Sequence, residues 1–155
     1  MTYRHVDRLP LRWAALFTAP FLFAVALPLL LGAPGKTLFW SAPWLLLGMA
    51  VVLAFTSLTT TVAGGQLVAA FRFGWPRKRI ALADVADHRT TTHGGRYGWG
   101  IRMVPGGTLW RVWGRRSVEL TLRDRKRTVS IGTSDPEGLE AAIASAPRIT
   151  PPFEL

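Results

Sequence analysis

The chain of 155 residues is about one domain's worth, and it is 49% hydrophobic while carrying a formal net charge of +10. It has no cysteine, which excludes a disulfide framework and any thiolate metal or redox centre. The basic excess bears on anionic partners and not on fold.

Charge and apolarity are segregated along the chain. Residues 1–12 form a short basic segment with Arg4, Arg8 and Arg12. No charged residue lies in 13–35, nor, after Lys36, in 37–71. A helix needs roughly 20 apolar residues, at 1.5 Å rise each, to cross a hydrocarbon core about 30 Å thick. Residues 13–31 (WAALFTAPFLFAVALPLLL) and 39–58 (FWSAPWLLLGMAVVLAFTSL) both meet that length. Pro20, Pro28 and Pro43 fall inside them, as membrane helices tolerate. The short, turn-rich link GAPGKT predicts an antiparallel transmembrane hairpin over 13–58. Trp13, Trp40 and Trp44 fall near the predicted span ends, where amphipathic rings favour the interface. A chain this short has too little protein to bury two such uniformly apolar helices. Arg72, Arg77, Lys78 and Arg79 follow the second run, whereas the link offers only Lys36. The positive-inside bias therefore predicts that both termini are cytoplasmic. A rival reading makes the first run a signal peptide cleaved after AVA at 24–26. Apolar sequence continues past that point, and a cleaved chain would still leave its C-terminal part inside.

From about residue 57 the pattern turns to short strands, predicting a cytoplasmic domain over 59–146 and a tail over 147–155. TTTV is β-branched and AGG turns the chain; QLVAAFRFG is a second strand candidate, and WPRK a turn. RIALADVADHRTTT holds a third strand and room for a fourth, and GIRMV and TLWRVW flank PGG as a hairpin. In SVELTL, Val118, Leu120 and Leu122 face one way, Glu119 and Thr121 the other. RDRKR is a charged turn, and TVSIG puts Val129 and Ile131 on one face. Strands at this spacing predict a sandwich or barrel. SDPEGLEAAIASAP then changes period. Ser134 with Glu137 three residues on is the capping-box pattern, Pro136 suits a first turn, and Leu139, Ala142, Ile143 and Ala146 form one stripe. So short a helix is not stable alone and must dock, an open barrel end being the natural place.

Three runs carry a resemblance: G-x-G-I-R at 98–102, G-R-x-S-V-x-L at 114–120 and I-G-T-x-D-P-x-x-L at 131–139. With about seven strands and a C-terminal helix, residues 57–146 resemble bacterial membrane-anchored pleckstrin-homology-like (PH-like) domain proteins, in which a two-span hairpin often precedes the domain. The resemblance implies an α+β membrane protein of the bacterial inner membrane. In it a two-helix transmembrane hairpin precedes a PH-like β-barrel of about seven strands capped by a C-terminal helix. It implies binding or assembly roles and brings no catalytic residue. PH domains that grip phosphoinositides use basic residues in the first hairpin loop. Here that loop is VAGGQL, without charge, so specific inositol-phosphate binding is not expected. Only one domain follows the hairpin, so tandem-domain functions do not carry over.

GGRYGWGIRMVPGGTLWRVWGRR, residues 94–116, admits four readings. A nucleotide loop would need G-x-G-x-x-G running into a helix, but Met103 stands at the third glycine and a strand follows. Nucleic-acid binding fits the Arg and Trp content but lacks an RNP-type or helix–turn–helix pattern. A structural reading puts Leu109, Arg111 and Trp113 on one strand face and Trp110 and Val112 on the other, one set core and one surface. The fourth is an anionic membrane surface. Arg111, Arg115, Arg116, Arg123, Arg125, Lys126 and Arg127 would cluster if the ends at WGRR and RDRKR are neighbours, with Arg77, Lys78 and Arg79 juxtamembrane. Each such cation contributes at most about 1 kcal/mol near the leaflet, over a Debye length of roughly 8 Å. The competing reading is a solvated basic face.

Asp84, Asp87, His88 and His93 match no standard metal spacing, and G-x-S-x-G is absent. The spans hold no ionisable residue of the kind that marks an ion path. The chain is thus expected to be non-enzymatic, without cofactor, metal or nucleic acid. The expected role is a binding or scaffolding module contacting a protein partner, a second copy or anionic lipid. The alternative is a small subunit of a larger membrane complex, with Gly48 allowing close helix packing at the working interface.

Overall fold

The computed structural model describes residues 2–32, 35–94, 98–123 and 127–147. The sequence predicts no strand before the first apolar run, yet Tyr3–Arg8 forms one, β1. The helices α1 (Leu11–Leu30) and α2 (Gly35–Ala54) follow, and then strand β2 (Ser57–Ala63). β2 pairs antiparallel with β1, with Tyr3 opposite Val62 and Arg8 opposite Ser57. The Leu9 amide donates to the Thr56 carbonyl at 2.8 Å, so α2 ends where α1 begins. This corrects the expected end of the second apolar run at residue 58. β1 supplies a pairing partner, the β-branched stretch extends backwards to Ser57, and Leu58 is fully buried in the domain core.

α1 is long and apolar enough to cross a membrane, with a mean hydropathy of 2.0, and none of its residues is buried. Exposed Leu16, Leu22, Phe23, Leu46, Leu47 and Val51 lie on α1 and α2. The two helices meet where Gly48 lies against Phe21, and a Cβ at Gly48 would overlap that ring. The small face of α2 thus packs against α1 of the same chain, and the expected use of Gly48 towards a partner is corrected accordingly.

β3 (Gln66–Phe71) and β4 (Arg77–Ala81) complete the first sheet, in the order β1-β2-β3-β4. A 3-10 turn, Leu82–Asp84, leads into β5 (Val85–Thr92). β6 (Gly100–Val104), β7 (Gly107–Arg111), β8 (Arg116–Leu122) and β9 (Thr128–Gly132) form the second sheet with it, ordered β5-β8-β9-β7-β6. The β6–β7 hairpin forms around PGG as expected. β7 and β9 run parallel and every other pair is antiparallel. The expected closed barrel is not formed: the described strands make two separate sheets, four and five strands wide. The outer strands β4 and β6 carry exposed Arg77, Arg79 and Arg102. Such charges blunt an edge against pairing.

Alternation builds the core between the sheets. β2 buries Leu58, Thr60 and Val62, and β3 buries Leu67, Ala69 and Phe71. Val118, Leu120, Val129, Ile131, Trp110 and Val112 face them from the second sheet. The Phe71 ring lies 4.5 Å from Phe55 and 5.7 Å from Trp110, contacts adding roughly 0.5–1.5 kcal/mol each beyond area burial. The second sheet is buried on its other face too: Leu109, Arg111, Ser117 and Ser130 are all enclosed. The sequence reading allowed only one of the two faces around Leu109 and Trp110 to be core.

α3 (Pro136–Ser145) packs Leu139 and Ile143 into the core beside β2, β5 and β8. Its N-cap is Asp135, whose Oδ1 accepts from the Gly138 amide at 3.0 Å, not Ser134 of the expected capping box. Ser134 is engaged elsewhere. Its amide and hydroxyl both donate to Asp7 Oδ1, at 2.8 and 2.7 Å, and His5 Nε2 lies 2.9 Å from its Oγ. The Tyr3 hydroxyl donates to Asp135 Oδ2 at 3.1 Å. The inward face of β1 is therefore a polar row that ties the N-terminal strand to the start of α3.

Burial, then the Asp135 carboxylate, pushes the Tyr3 phenol well above its ordinary value of about 10. A raised folded-state value favours the neutral phenol. The associated stability is complete below pH about 10 and is lost as pH rises beyond it. Equilibrium unfolding of Tyr3→Phe is expected to show a flatter loss of stability above pH 10 than the parent chain.

Candidate functional site

The distinctive surface lies where the helices leave the domain. The Arg72 amide donates to the Ala54 carbonyl at 3.2 Å and its Nη1 to Thr56 Oγ1 at 3.1 Å, fixing the β3–β4 turn beside the end of α2. That turn presents Phe73 and Trp75, 66% and 74% exposed, directly before Arg77. On the other side of the foot, the Trp113 ring packs at a tilt 5.4 Å from Trp13, and the Trp99 ring at a tilt 4.1 Å from Phe17. The loops preceding β6 and β8 thus close around the first two turns of α1.

Between them lies a cavity of about 400 Å³ lined by Trp13, Phe17, Trp99, Trp113, Arg111 and Arg115 with Leu9 and Val112. This is within the roughly 300–1,000 Å³ range of small-molecule sites. Arg111 is only 3% exposed. Its Nε and Nη2 donate to the Gly98 carbonyl at 3.1 and 2.7 Å, and its Nη1 to the His93 carbonyl at 3.4 Å. Burial, with like charge on Arg115, lowers its pKa from the ordinary arginine value. Among the described residues no carboxylate forms an ion pair with Arg111 or Arg115. The buried Trp13 Nε1 has no hydrogen-bond acceptor among them either.

The expected cation cluster divides. Arg111 is enclosed and is not a surface contact: its guanidinium is taken up by the His93 and Gly98 carbonyls. Arg115 is exposed at the cavity rim. Arg116 pairs with Glu137 at the start of α3. Arg123 lies at the opposite end of β8, its amide bonded to the Asp84 carbonyl, and exposed Arg127 precedes β9. A seven-residue strand separates these ends by roughly 20 Å, so WGRR and RDRKR are not neighbours. Arg125 and Lys126 lie outside the described residues. Arg77 and Arg79 share the exposed face of β4, and Lys78 points the other way, into a second cavity with Arg127.

No family model, curated protein or solved structure matches this chain.

Of the expected interfacial tryptophans, Trp13 is the third residue of α1 and belongs to the foot cluster. Trp40 is near the start of α2 and exposed. Trp44 is mid-helix, because α2 begins four residues earlier than the sequence reading places it. The aromatic foot as a whole is missed by the sequence reading; the aromatic pair Phe73 and Trp75 beside PRKR is the one signal in the sequence that could have found part of it. His88 falls in β5 and His93 just after it, with His93 Nε2 3.1 Å from Ser130 Oγ. Because the Arg116–Glu137 pair is exposed, Arg116→Ala is expected to leave the thermal midpoint unchanged in a melting assay.

Proposed function

We propose that the chain is a non-enzymatic, membrane-anchored PH-like binding module at the cytoplasmic face of a bacterial inner membrane. In this reading α1 and α2 are two spans, and the aromatic and basic foot rests in the headgroup layer. The observation that carries it is the β1–β2 pairing. If α1 crosses a bilayer, the chain must come back for Tyr3–Arg8 to lie beside Ser57–Ala63, and α2 is the segment that returns it. A cleaved signal peptide fits poorly, since cleavage after residue 26 would remove β1 from the sheet. Arg4, Arg8, Arg12 and Arg72 on the domain side against Lys36 on the far side favour a cytoplasmic domain. Exposed Phe73 and Trp75 supply amphipathic anchors, and Arg77 and Arg79 supply charge towards anionic lipid.

The cysteine-free sequence allows a direct test. An impermeant maleimide added to intact cells is expected to label Lys36→Cys, and to label Thr2→Cys and Asp87→Cys only after the membrane is opened. Labelling of Thr2→Cys and Asp87→Cys on opposite sides would refute the paired-strand topology. One observation favours a protein partner alongside lipid: the edge strand β6 exposes Met103 (85%) and Ile101. An extended peptide could add there as a further strand.

A further inference from the structure

We propose that the foot cavity holds one anionic phospholipid, its phosphate bound by Arg115, with an acyl chain lying along α1. The inference rests on reading α1 as a membrane span and names a ligand for the foot.

Two features of the cavity point to that class. The first is unbalanced charge. Arg111 and Arg115 both line it, and neither is ion-paired to a carboxylate among the described residues. A buried cation is costly unless an anion or a full set of hydrogen bonds meets it. Arg111 has carbonyl oxygens alone. A phosphate oxygen can accept from Arg115, and charge-assisted bonds are the strong ones. The second is the apolar remainder. Phe17, Trp99, Trp113 and Val112 complete the wall, and it continues onto the exposed apolar surface of α1.

An uncharged amphiphile would leave the two guanidinium groups unneutralised. A zwitterionic headgroup brings its own cation into the field of Arg111 and Arg115. Free phosphate would use the charge and ignore the aromatic wall. An anionic phospholipid satisfies both features.

The test uses the full chain in detergent micelles, with equimolar phosphatidylglycerol and phosphatidylcholine added and bound lipid counted by native mass spectrometry. The expected result is one phosphatidylglycerol per chain, retained about ten-fold over phosphatidylcholine. Arg115→Gln, at an exposed position, is expected to bring the two lipids close to parity, whereas Arg123→Gln at the far end leaves the preference intact. Equal retention of both lipids by the parent chain overturns the proposal, as does a preference that survives Arg115→Gln. Displacement of the lipid by millimolar inorganic phosphate alone would make this a free-phosphate site and overturn it too. A chain that needs no detergent refutes the membrane reading itself. A chain that needs detergent yet shows no lipid preference refutes only the cavity assignment.

Discussion

Gly107→Ala is expected to lower the thermal midpoint of the domain by more than about 10 °C, or to abolish folding. Gly107 opens β7 and pairs with Thr128 across the parallel β7–β9 ladder. A Cβ there would overlap the Thr128 carbonyl oxygen and lie against its Oγ1 as well. Overpacking against side chains costs roughly 1–3 kcal/mol because rotamers can give. Here the obstacle is backbone in the middle of a sheet, and β7 can accommodate a methyl group only by leaving β9. About 3 kcal/mol or more is therefore expected, against a total of roughly 5–15 kcal/mol for a domain, and each kcal/mol is worth several degrees. Circular dichroism melts in detergent, with Thr108→Ala as the neighbouring control, read the effect. A midpoint within a few degrees of the parent would show that β7 and β9 are not held together there.

The second large effect is expected at Arg111. Replacing a buried charged group with an apolar one is often neutral when its partner is removed too. In Arg111→Leu the partners remain: the Gly98 carbonyl loses two donors and the His93 carbonyl one. Each orphaned buried acceptor costs about 1–3 kcal/mol unless it reaches water. Gly98 is itself exposed, so its carbonyl can turn to water, but doing so releases the segment that holds Trp99 against Phe17. A loss of about 2–3 kcal/mol is expected, with faster amide hydrogen exchange around residues 98–101. Arg111→Lys keeps the charge but loses the planar fork, and is expected to fall between the parent and the leucine variant. The tight approach of Gly132 to the Arg111 stem, where a Cβ would come within 2.7 Å of Cγ, leaves no room for the side chain to re-route.

Much of the second sheet was legible because its alternation is apolar: Val118 with Leu120, Val129 with Ile131, and the hairpin around PGG. The stripe of α3 was legible for the same reason. β1 was not, since its inward residues are Tyr3, His5 and Asp7, and a period of two without apolar residues carries no burial signal. The cap of α3 was misplaced by one residue because Ser134 and Asp135 are both good caps, and a residue 127 positions away decides between them. The same non-local information hides the parallel β7–β9 pairing, which leaves two open sheets where a barrel was expected. Arg111 read as a surface cation because nothing near it in sequence reveals that the Gly98 and His93 carbonyls take up its guanidinium. The boundary of α2, displaced by only four residues, was enough to move Trp44 from a span end to the middle of a helix.

Leu9 and Thr56 are neighbours joined by a backbone hydrogen bond, although 46 residues separate them in sequence. Topologically the hydrophobic portion is thus an insert at the tip of an ordinary β-hairpin. Excising residues 10–55 and bridging the gap with Asn-Gly, a sequence suited to a tight two-residue reversal, should yield a water-soluble miniature that keeps every strand.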